Sequence, residues 1–423
     1  MKLLRAIALL LLAGCASVPS APDSLNEVAA DYVRMQLEMG AREEGYVDAY
    51  YGPAEWETAA NAHPRTVPEL LKAAAALSAR TAALHPDDPL EQRRRAFMLA
   101  QLKAAETRMR MHEGVKLGFQ EEAEGLFAIR PELKPLASYD AVLDRLERLV
   151  PGSGPLPERI EAFQNRFVIP PARLEPVMRA AIAECRRRTL AHIPLPPEEK
   201  FTLEFVTGKP WSGYNWYKGN ATSLIQINTD LPVRISRAVD LGCHEGYPGH
   251  HVYNILLEEK LSRGRGWIEF TIYPLYSPQS FIAEGSANYG IDLAFPGDER
   301  LTFETETLYP LAGLSPAGAR DYLALQEALK DLAGARFTIA AEYLAGRIDR
   351  AQALRLTQKY QLVGEARAEQ SLTFVDQYRS YVINYGLGQA MVKAYVERSP
   401  DKWAAMTRLL SEPSLPSDLE EKR

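Results

Sequence analysis

The segment at residues 240–257, DLGCHEGYPGHHVYNILL, constrains the chain most. It places three of the seven histidines around one glutamate and then interrupts the helix that would carry them. In an unbroken H-E-x-x-H helix, the two histidines lie about 6 Å apart along the axis and about 40° apart around it, so both reach one metal ion. Here Pro248 occupies the position of the second histidine. A metal site therefore requires a local change in the backbone.

On a regular helix, neither of the later histidines pairs with His244. His250 would lie about 9 Å along the axis and about 240° around it, and His251 about 10.5 Å away on the same face. Pro248, however, has no N–H for the carbonyl of residue 244, and its ring clashes with that carbonyl, so the helix must break or bulge. A two-residue bulge at Pro248 and Gly249 would move His250 into the position of the second ligand, with His251 as the alternative.

A third ligand is expected from a nearby helix at residues 281–289, FIAEGSANY. Glu284 stands there among apolar and small residues, where a carboxylate is costly to bury without a partner. Two neutral imidazoles, one carboxylate and a water form the open four-coordinate site of a catalytic zinc centre. Glu245 would take a proton from that water and pass it to the leaving amine. The alternative to a metal site is that the two adjacent histidines cap a helix and that Glu284 faces solvent.

The pattern H-E-x-x-P-G-H-H, followed by an E-G-x-A-x-Y helix, resembles the bacterial family catalogued as domain of unknown function 885. That family is grouped with the gluzincin-like zinc metallopeptidases, which include the carboxypeptidase Taq family. The resemblance covers mainly residues 200–400. It implies a zincin-like helical metallopeptidase fold, zinc ligands at His244, His250 and Glu284, and a general base at Glu245.

Two positions depart from the pattern of that family. Ser286 stands where the family usually carries Trp, and Leu387 stands where a Pro-Gly-Gln-Ala sequence would have Pro. Neither position is a proposed ligand, so the departures bear on substrate preference rather than on the metal.

The first fourteen residues have the pattern of a bacterial lipoprotein signal. Lys2 and Arg5 precede an apolar run at residues 6–12 that is too short to span a bilayer, and Leu-Ala-Gly leads directly to Cys15. Cleavage before Cys15 would leave a lipidated cysteine, followed by a small-residue and Pro-rich tether at 15–23. The two residues after Cys15 are Ala16 and Ser17 and not aspartate, which favours the outer membrane, with the protein facing the periplasm. An ordinary signal peptide with an incidental cysteine is the alternative.

Composition excludes one class of partner. The chain of 423 residues is 46% hydrophobic and 25% charged, which is ordinary for a globular protein. Removing Lys2 and Arg5 with the signal changes the formal net charge from −6 to −8, and no basic run could follow a phosphate backbone, so nucleic acid is not expected as a partner. Cys185 and Cys243 either pair in an oxidising periplasm or are two small buried residues.

Hydrophobic periodicity predicts a mainly α-helical (α+β) fold with a small β-sheet beside the metal-binding helix. An N-terminal helical lobe is expected at 24–197, with capping boxes at 24–27 and 66–69, and a zincin-like catalytic lobe at 198–423. The Pro-rich run at 194–197 marks the boundary. Strands are expected at 201–206 and 223–228, and the polar tail from 411 is expected to fray.

The segment at 378–385, YRSYVINY, offers further candidates for the chemistry. A peptidase needs a donor for the developing oxyanion and often a cation for a substrate carboxylate, and Tyr385, Tyr381 and Arg379 are candidates for these roles. Core tyrosines and a surface arginine are the alternative.

Three functions use these residues. The first is a zinc-dependent peptidase, carboxypeptidase- or dipeptidase-like, that acts on peptides in the cell envelope and is held to the membrane by a lipid on Cys15. The second is a non-catalytic lipoprotein on a zincin scaffold that binds peptides or serves envelope assembly. The third is hydrolysis of a non-peptide amide or ester with the same metal site. The residues indicate no particular oligomeric state.

Overall fold

A computed structural model of the chain describes residues 24–421. The fold is mainly α-helical with small β-sheets, as the periodicity predicts. The expected signal at 1–14, Cys15 and the tether at 15–23 lie outside the described residues. Within residues 24–421, no helix combines the length and the apolar character needed to cross a lipid bilayer.

The part before residue 197 consists of helices and one short strand. Both predicted capping boxes are present: the Ser24 backbone N–H donates to Glu27 (2.8 Å) and that of Thr66 donates to Glu69 (2.9 Å), which fixes where these helices begin. The elements are α1 (Leu25–Gly40), β1 (Val47–Tyr50), α2 (Ala54–Ala62), α3 (Val67–Ala83), α4 (Pro89–His112), α5 (Phe119–Phe127), α6 (Asp140–Leu149), α7 (Leu156–Gln164) and α8 (Pro171–Leu190).

After residue 197, three strands precede a second series of helices. Short π-helical turns occur at Gly242–Gly246, Glu258–Arg263 and Glu304–Leu308. The elements are β2 (Lys200–Val206), β3 (Gly213–Tyr217), β4 (Thr222–Asn228), α9 (Ser236–Leu241), α10 (His250–Leu257), β5 (Ile272–Pro274), α11 (Pro278–Ala294), α12 (Glu299–Phe303), α13 (Tyr309–Ala312), α14 (Ala319–Lys330), α15 (Ala333–Leu344), α16 (Arg350–Gln361), α17 (Glu365–Tyr378), α18 (Ile383–Glu397) and α19 (Lys402–Ser411).

The larger sheet has the strand order β2-β4-β3, with β2 parallel and β3 antiparallel to β4. The strands predicted at 201–206 and 223–228 correspond to β2 and β4. No strand is predicted for β3, which contains part of an aromatic run; Trp216 on β3 donates its indole N–H to Gln226 on β4 (2.9 Å). β3 is an edge strand of this sheet and lies beside the metal segment.

A two-stranded antiparallel sheet joins β1 to β5 and so connects the two halves of the chain. One main hydrophobic core continues across 194–197, because it contains side chains of α1, α4 and α8 together with β4, α10, α11 and α18. A smaller cluster joins α6 and α7 to helices α14 to α17. The two predicted lobes therefore share buried contacts.

The prediction that the tail frays is wrong for its described residues. Arg93 on α4 forms ion pairs with Glu412 (3.3 Å) and Asp418 (3.4 Å), and Leu419 is 2% exposed. One buried leucine and two ion pairs fix a segment that its polar composition alone would leave free.

Candidate metal centre

The helix that carries the metal segment ends before Pro248, as predicted. α9 continues as the π-helical turn Gly242–Gly246, the peptide bond between Tyr247 and Pro248 is cis, and α10 begins at His250. Proline has no N–H with which to continue the helical ladder. The segment is therefore two helical pieces joined at a sharp corner. His244 lies before that corner and His250 lies after it.

Gly249 fits into this corner because it has no side chain. Its N–H donates to the carbonyl oxygen of Cys243 (3.0 Å). A Cβ at this position would lie only 1.8 Å from the carbonyl oxygen of His244. Any other residue would clash with the backbone, so the Pro-Gly pair fixes the path that returns the chain to His244.

His244, His250 and Glu284 converge on one point. The two imidazole Nε2 atoms lie 3.1 Å apart. Nε2 of His244 is 3.2 Å from Oε2 of Glu284, and Nε2 of His250 is 3.8 Å from Oε1. In a tetrahedral site with metal–ligand bonds of about 2.1 Å, two ligand atoms are separated by about 3.4 Å. The three side chains thus have the spacing that one zinc-sized ion requires.

The two oxygens of Glu284 have different surroundings. Oε1 accepts a hydrogen bond from the Tyr381 hydroxyl (2.9 Å). Oε2 is buried and has no hydrogen-bond partner among residues 24–421. A buried carboxylate oxygen without a donor is costly, and a cation between Glu284 and the imidazoles would satisfy it. The residues therefore fit a metal ion.

The pKa shifts of His250 and Glu284 favour the same interpretation. Burial lowers the pKa of His250 to about 4, so at neutral pH it is the neutral imidazole that metals bind. Burial lowers the pKa of His244 as well, but Glu284 and Glu245 raise it above its ordinary value. Burial raises the pKa of Glu284, but His244, His250 and Tyr381 together hold it below the ordinary value, so this carboxylate is ionised.

Glu245 is a second carboxylate beside the imidazoles. Its oxygen and the ring nitrogens of His244 and His250 lie within 4.8 Å of one another, so Glu245 is an alternative third ligand. Glu284 has the closer match to ligand spacing and the oxygen without a partner, so we assign it the ligand position. Burial raises the pKa of Glu245 to about 7, which suits a group that accepts and returns a proton near neutral pH.

His251, the alternative second ligand, lies elsewhere. Its Nδ1 is 2.7 Å from the Ser223 hydroxyl, and its Nε2 is 3.1 Å from Oε2 of Glu199. The side chain is fully buried, and both ring nitrogens already have partners. In this geometry His250, and not His251, stands beside His244.

The two candidate tyrosines have different positions. Tyr381 is buried and bound to Glu284. The ring of Tyr385 lies 6.4 Å from that of His244, and its hydroxyl has no hydrogen-bond partner within residues 24–421. Tyr385 is therefore the one of the pair that is free to donate to a substrate oxygen, while Tyr381 orients Glu284.

The structure does not bring Arg379 to this centre. Its Nε donates to Oε2 of Glu122 on α5 (2.8 Å), and it is absent from the described residues that line the cavity. The sequence suggests Arg379 as the cation for a substrate carboxylate, but its guanidinium is paired with Glu122 instead.

A cavity of about 580 Å³ lies over the metal centre. Its walls include the start of β3 and one face of α17, and charged residues that no motif indicates also line it, among them Asp48 on β1 and Arg336 on α15. Burial raises the pKa of Asp48 to about 7, although the hydroxyl of Tyr214 hydrogen-bonds to it. Only the folded arrangement identifies these two residues, because each is isolated in the sequence from the metal segment.

Comparison with known proteins gives structural neighbours only. No protein-family model and no curated protein matches the sequence. A protein from Colwellia psychrerythraea, described provisionally as a lipoprotein, is 15% identical with a TM-score of 0.49, over 84% of this chain and 68% of its own. A protein from Shewanella oneidensis, described provisionally as a lipoprotein of unknown function, is 12% identical with a TM-score of 0.48. The match covers 94% of this chain and 73% of that protein. A structure described as BsuCP is 13% identical with a TM-score of 0.42, and the match covers 92% of this chain and 88% of that one.

Proposed function

We propose that this chain is a zinc-dependent hydrolase that cleaves peptides in the cell envelope. The observation that carries the proposal is the convergence of His244, His250 and Glu284 at ligand spacing, with an ionised buried carboxylate oxygen that has no donor among residues 24–421. Two imidazoles and one carboxylate leave a coordination position open, which is the pattern of catalytic rather than structural zinc sites.

When bound, zinc supplies a Lewis acid that polarises a carbonyl and makes water more acidic. Glu245 accepts the proton of the attacking water as the water oxygen bonds to the carbonyl carbon. It then gives that proton to the amide nitrogen as the C–N bond breaks, so that an acid and an amine are the products. The Tyr385 hydroxyl donates to the carbonyl oxygen as negative charge develops on it.

The edge strand β3 gives a way to align the peptide. Its first residue, Gly213, lines the cavity, and a Cβ there would lie 2.6 Å from Oε1 of Glu245. The absence of a side chain lets an extended backbone approach the base closely. Pairing of the substrate with the edge of β3 would hold the scissile bond beside Glu245.

The proposed location follows from the N-terminal sequence. A lipid on Cys15 and a tether at 15–23 would hold the protein at the membrane surface, on the periplasmic side of the outer membrane. A hydrolase in that position acts on peptides of the envelope.

Metal analysis and peptide hydrolysis of the wild type beside Glu245→Gln test the proposal. We expect about one zinc per chain in both proteins, and hydrolysis in the variant reduced about 10²- to 10⁴-fold, because the amide keeps the shape of the side chain but cannot accept the proton. A wild-type protein that stays free of zinc after purification with zinc present would overturn the proposal. Zinc without hydrolysis across a broad peptide library would favour the binding lipoprotein instead.

A further inference from the structure

Five cationic side chains line the cavity, and three of them are paired with carboxylates. Arg300 bonds to Asp240 (2.9 Å) and Glu304 (2.8 Å). Lys330 is 2.8 Å from Glu327 and 3.2 Å from Asp292, and Arg237 is 3.4 Å from Asp240. The remaining two, Arg336 and Arg367, have no carboxylate within 4 Å among residues 24–421.

Of these two, Arg336 has fewer hydrogen-bond partners. Its guanidinium lies 5.2 Å from the centre of the Phe374 ring, and its buried Nε has no hydrogen-bond partner within the described part of the chain. Burial lowers the pKa of Arg336 below its ordinary value. A desolvated cation without an anionic partner is costly to keep in a folded protein, and an anion that enters the cavity would offset that cost.

Two aromatic side chains, Phe374 and Tyr385, lie between Arg336 and the metal centre. The ring of Tyr385 is 6.4 Å from that of His244 on one side and 5.9 Å from that of Phe374 on the other. Burial raises the pKa of Tyr385 well above its ordinary value. The negative charges of Glu284 and Glu245 raise this pKa further, and the positive charge of Arg336 lowers it, so the Tyr385 hydroxyl is within electrostatic reach of all three side chains. An anion on Arg336 is therefore separated from the reacting bond by a short length of substrate.

Arg367 does not serve the same anion. It precedes Phe374 by seven residues on α17, which is about 10.5 Å along the helix axis. One of its terminal nitrogens also donates to the carbonyl oxygen of Pro232 (2.8 Å). Among the described residues, Arg336 therefore stands as an unpaired cation on the cavity wall, beside the neighbouring rings of Phe374 and Tyr385.

We propose that Arg336 binds the free C-terminal carboxylate of the peptide, so that the metal centre cuts bonds at the C-terminal end of its substrates. A guanidinium binds a carboxylate through two parallel hydrogen bonds, which fixes direction as well as charge. This inference rests on the proposed function, because it assigns the polarity of the substrate at the same site. The products are a shortened peptide with a new carboxylate and a C-terminal fragment that leaves with a free amine.

Binding to an inactive protein tests Arg336 without turnover. The probes are N-acetylated tripeptides with a free C-terminus and the same peptides as C-terminal amides, added to zinc-loaded Glu245→Gln and measured by calorimetry. We expect the acids to bind about 10- to 100-fold more tightly than the amides. Glu245→Gln with Arg336→Gln should lose this preference, while Glu245→Gln with Arg347→Gln should keep it. Arg347 is an exposed arginine paired with Glu342, so it controls for net charge. Equal binding of acids and amides to Glu245→Gln would overturn the inference.

Hydrolysis by active protein separates this inference from the proposed function. Wild type should cleave the free acids with a kcat/KM about 10- to 100-fold above that for the amides, and Arg336→Gln should lose most of this difference through a higher KM. Rapid hydrolysis of amides and acids alike would leave a zinc peptidase but reject the role of Arg336. Zinc-dependent binding of acids without hydrolysis of any peptide would reject the proposed function but retain the carboxylate site.

Discussion

At the scale of single residues, two adjacent histidines have opposite roles. His250 faces His244 across the corner at Pro248, whereas His251 is turned into the core and bound to Ser223 and Glu199. Successive residues of a helix differ by about 100° in direction, so the first residue of α10 faces the cavity and the second cannot. The register of the corner therefore decides which ring stands beside His244, at the proposed ligand position.

Alanine substitutions at these two positions test that register. His250→Ala should fold normally and lose most bound zinc, because it removes one of three protein ligands. His251→Ala should keep zinc when folded but unfold more easily, because it removes the buried partner of Ser223 and one of the three partners of Glu199. Zinc content after dialysis and urea unfolding measure the two effects. Loss of zinc in His251→Ala alone would show that the assignment of His250 is wrong.

The two tyrosines form a matched pair for a second test, since each substitution by phenylalanine removes one hydroxyl. Tyr385→Phe should keep zinc and reduce kcat about 10²- to 10³-fold, because it removes a donor to the developing oxyanion. Tyr381→Phe should weaken zinc binding about 10- to 100-fold, because it removes the group that orients Glu284. Zinc competition assays and steady-state kinetics separate the two. Identical effects of both substitutions would contradict the distinct roles.

At the scale of elements, the contact between α11 and α18 positions Glu284, the proposed third ligand. Gly285 follows Glu284, and a Cβ on it would lie 2.6 Å from the carbonyl carbon of Gly388 on α18. Two glycines facing each other let the helix backbones approach closely. That approach brings the segment with Tyr381 and Tyr385 next to Glu284.

Gly285→Ala should therefore push the two helices apart. We expect a loss of about 1–3 kcal/mol in the free energy of unfolding and weaker zinc binding, because the added methyl meets backbone that cannot rotate away. Gly118→Ala is the control, since a Cβ there meets no atom within 4 Å and its φ is negative. Urea unfolding and zinc competition provide the measurements. An unchanged zinc affinity in Gly285→Ala would mean that the close approach is not needed for the site.

Local patterns account for the elements that sequence analysis predicts. The capping boxes at Ser24 and Thr66, the strands β2 and β4, and the break at Pro248 all depend on neighbouring residues, and all are present. β3 is missed because its aromatic side chains suggest packing as strongly as they suggest a strand. The positions of Asp48 and Arg336 at the cavity depend on pairings between distant segments, such as β1 with β5, which no local pattern contains.

At the scale of the whole molecule, Glu199 joins both halves of the chain behind the metal segment. Its carboxylate bonds to Arg186 on α8, to the Tyr247 hydroxyl (2.6 Å) and to His251 on α10. Burial raises its pKa, but these hydrogen bonds lower it to about 2, against an ordinary value of 4.5. A depressed folded-state pKa means that the carboxylate stabilises the fold above about pH 4.5, and that this contribution is lost as pH falls toward about 2.

Glu199→Gln should follow this pH dependence. At pH 7 the variant should have a lower free energy of unfolding than the wild type, because the amide cannot accept the same charged hydrogen bonds. The difference should shrink below about pH 4.5, be mostly lost near pH 2, where half of the folded wild-type carboxyl is protonated, and vanish below that pH. Urea unfolding of both proteins across this range measures it. A difference that does not change with pH would contradict the role of charge in this network.

A disulfide between Cys185 and Cys243 links α8 to the metal segment, the two regions that Glu199 also joins. Of the two alternatives for these cysteines, a disulfide or two small buried residues, the structure has the disulfide. It attaches α8 to the residue before His244, with both sulfurs fully buried. The two cysteines are 58 residues apart, so the bond closes a long loop and restricts the unfolded chain. The link therefore stabilises the fold around the ligand segment without touching the metal position.

Replacing both cysteines by alanine should lower the free energy of unfolding by about 2–4 kcal/mol. Zinc content of the folded variant should stay near one per chain, because the sulfurs lie behind His244 and not beside its Nε2. Urea unfolding with and without a reducing agent checks the first expectation, since reduction should shift the wild type toward the variant and leave the variant unchanged. Loss of zinc from a variant that remains folded would mean that the bond also sets the direction of His244, and the ligand geometry would then depend on the oxidised state of the envelope.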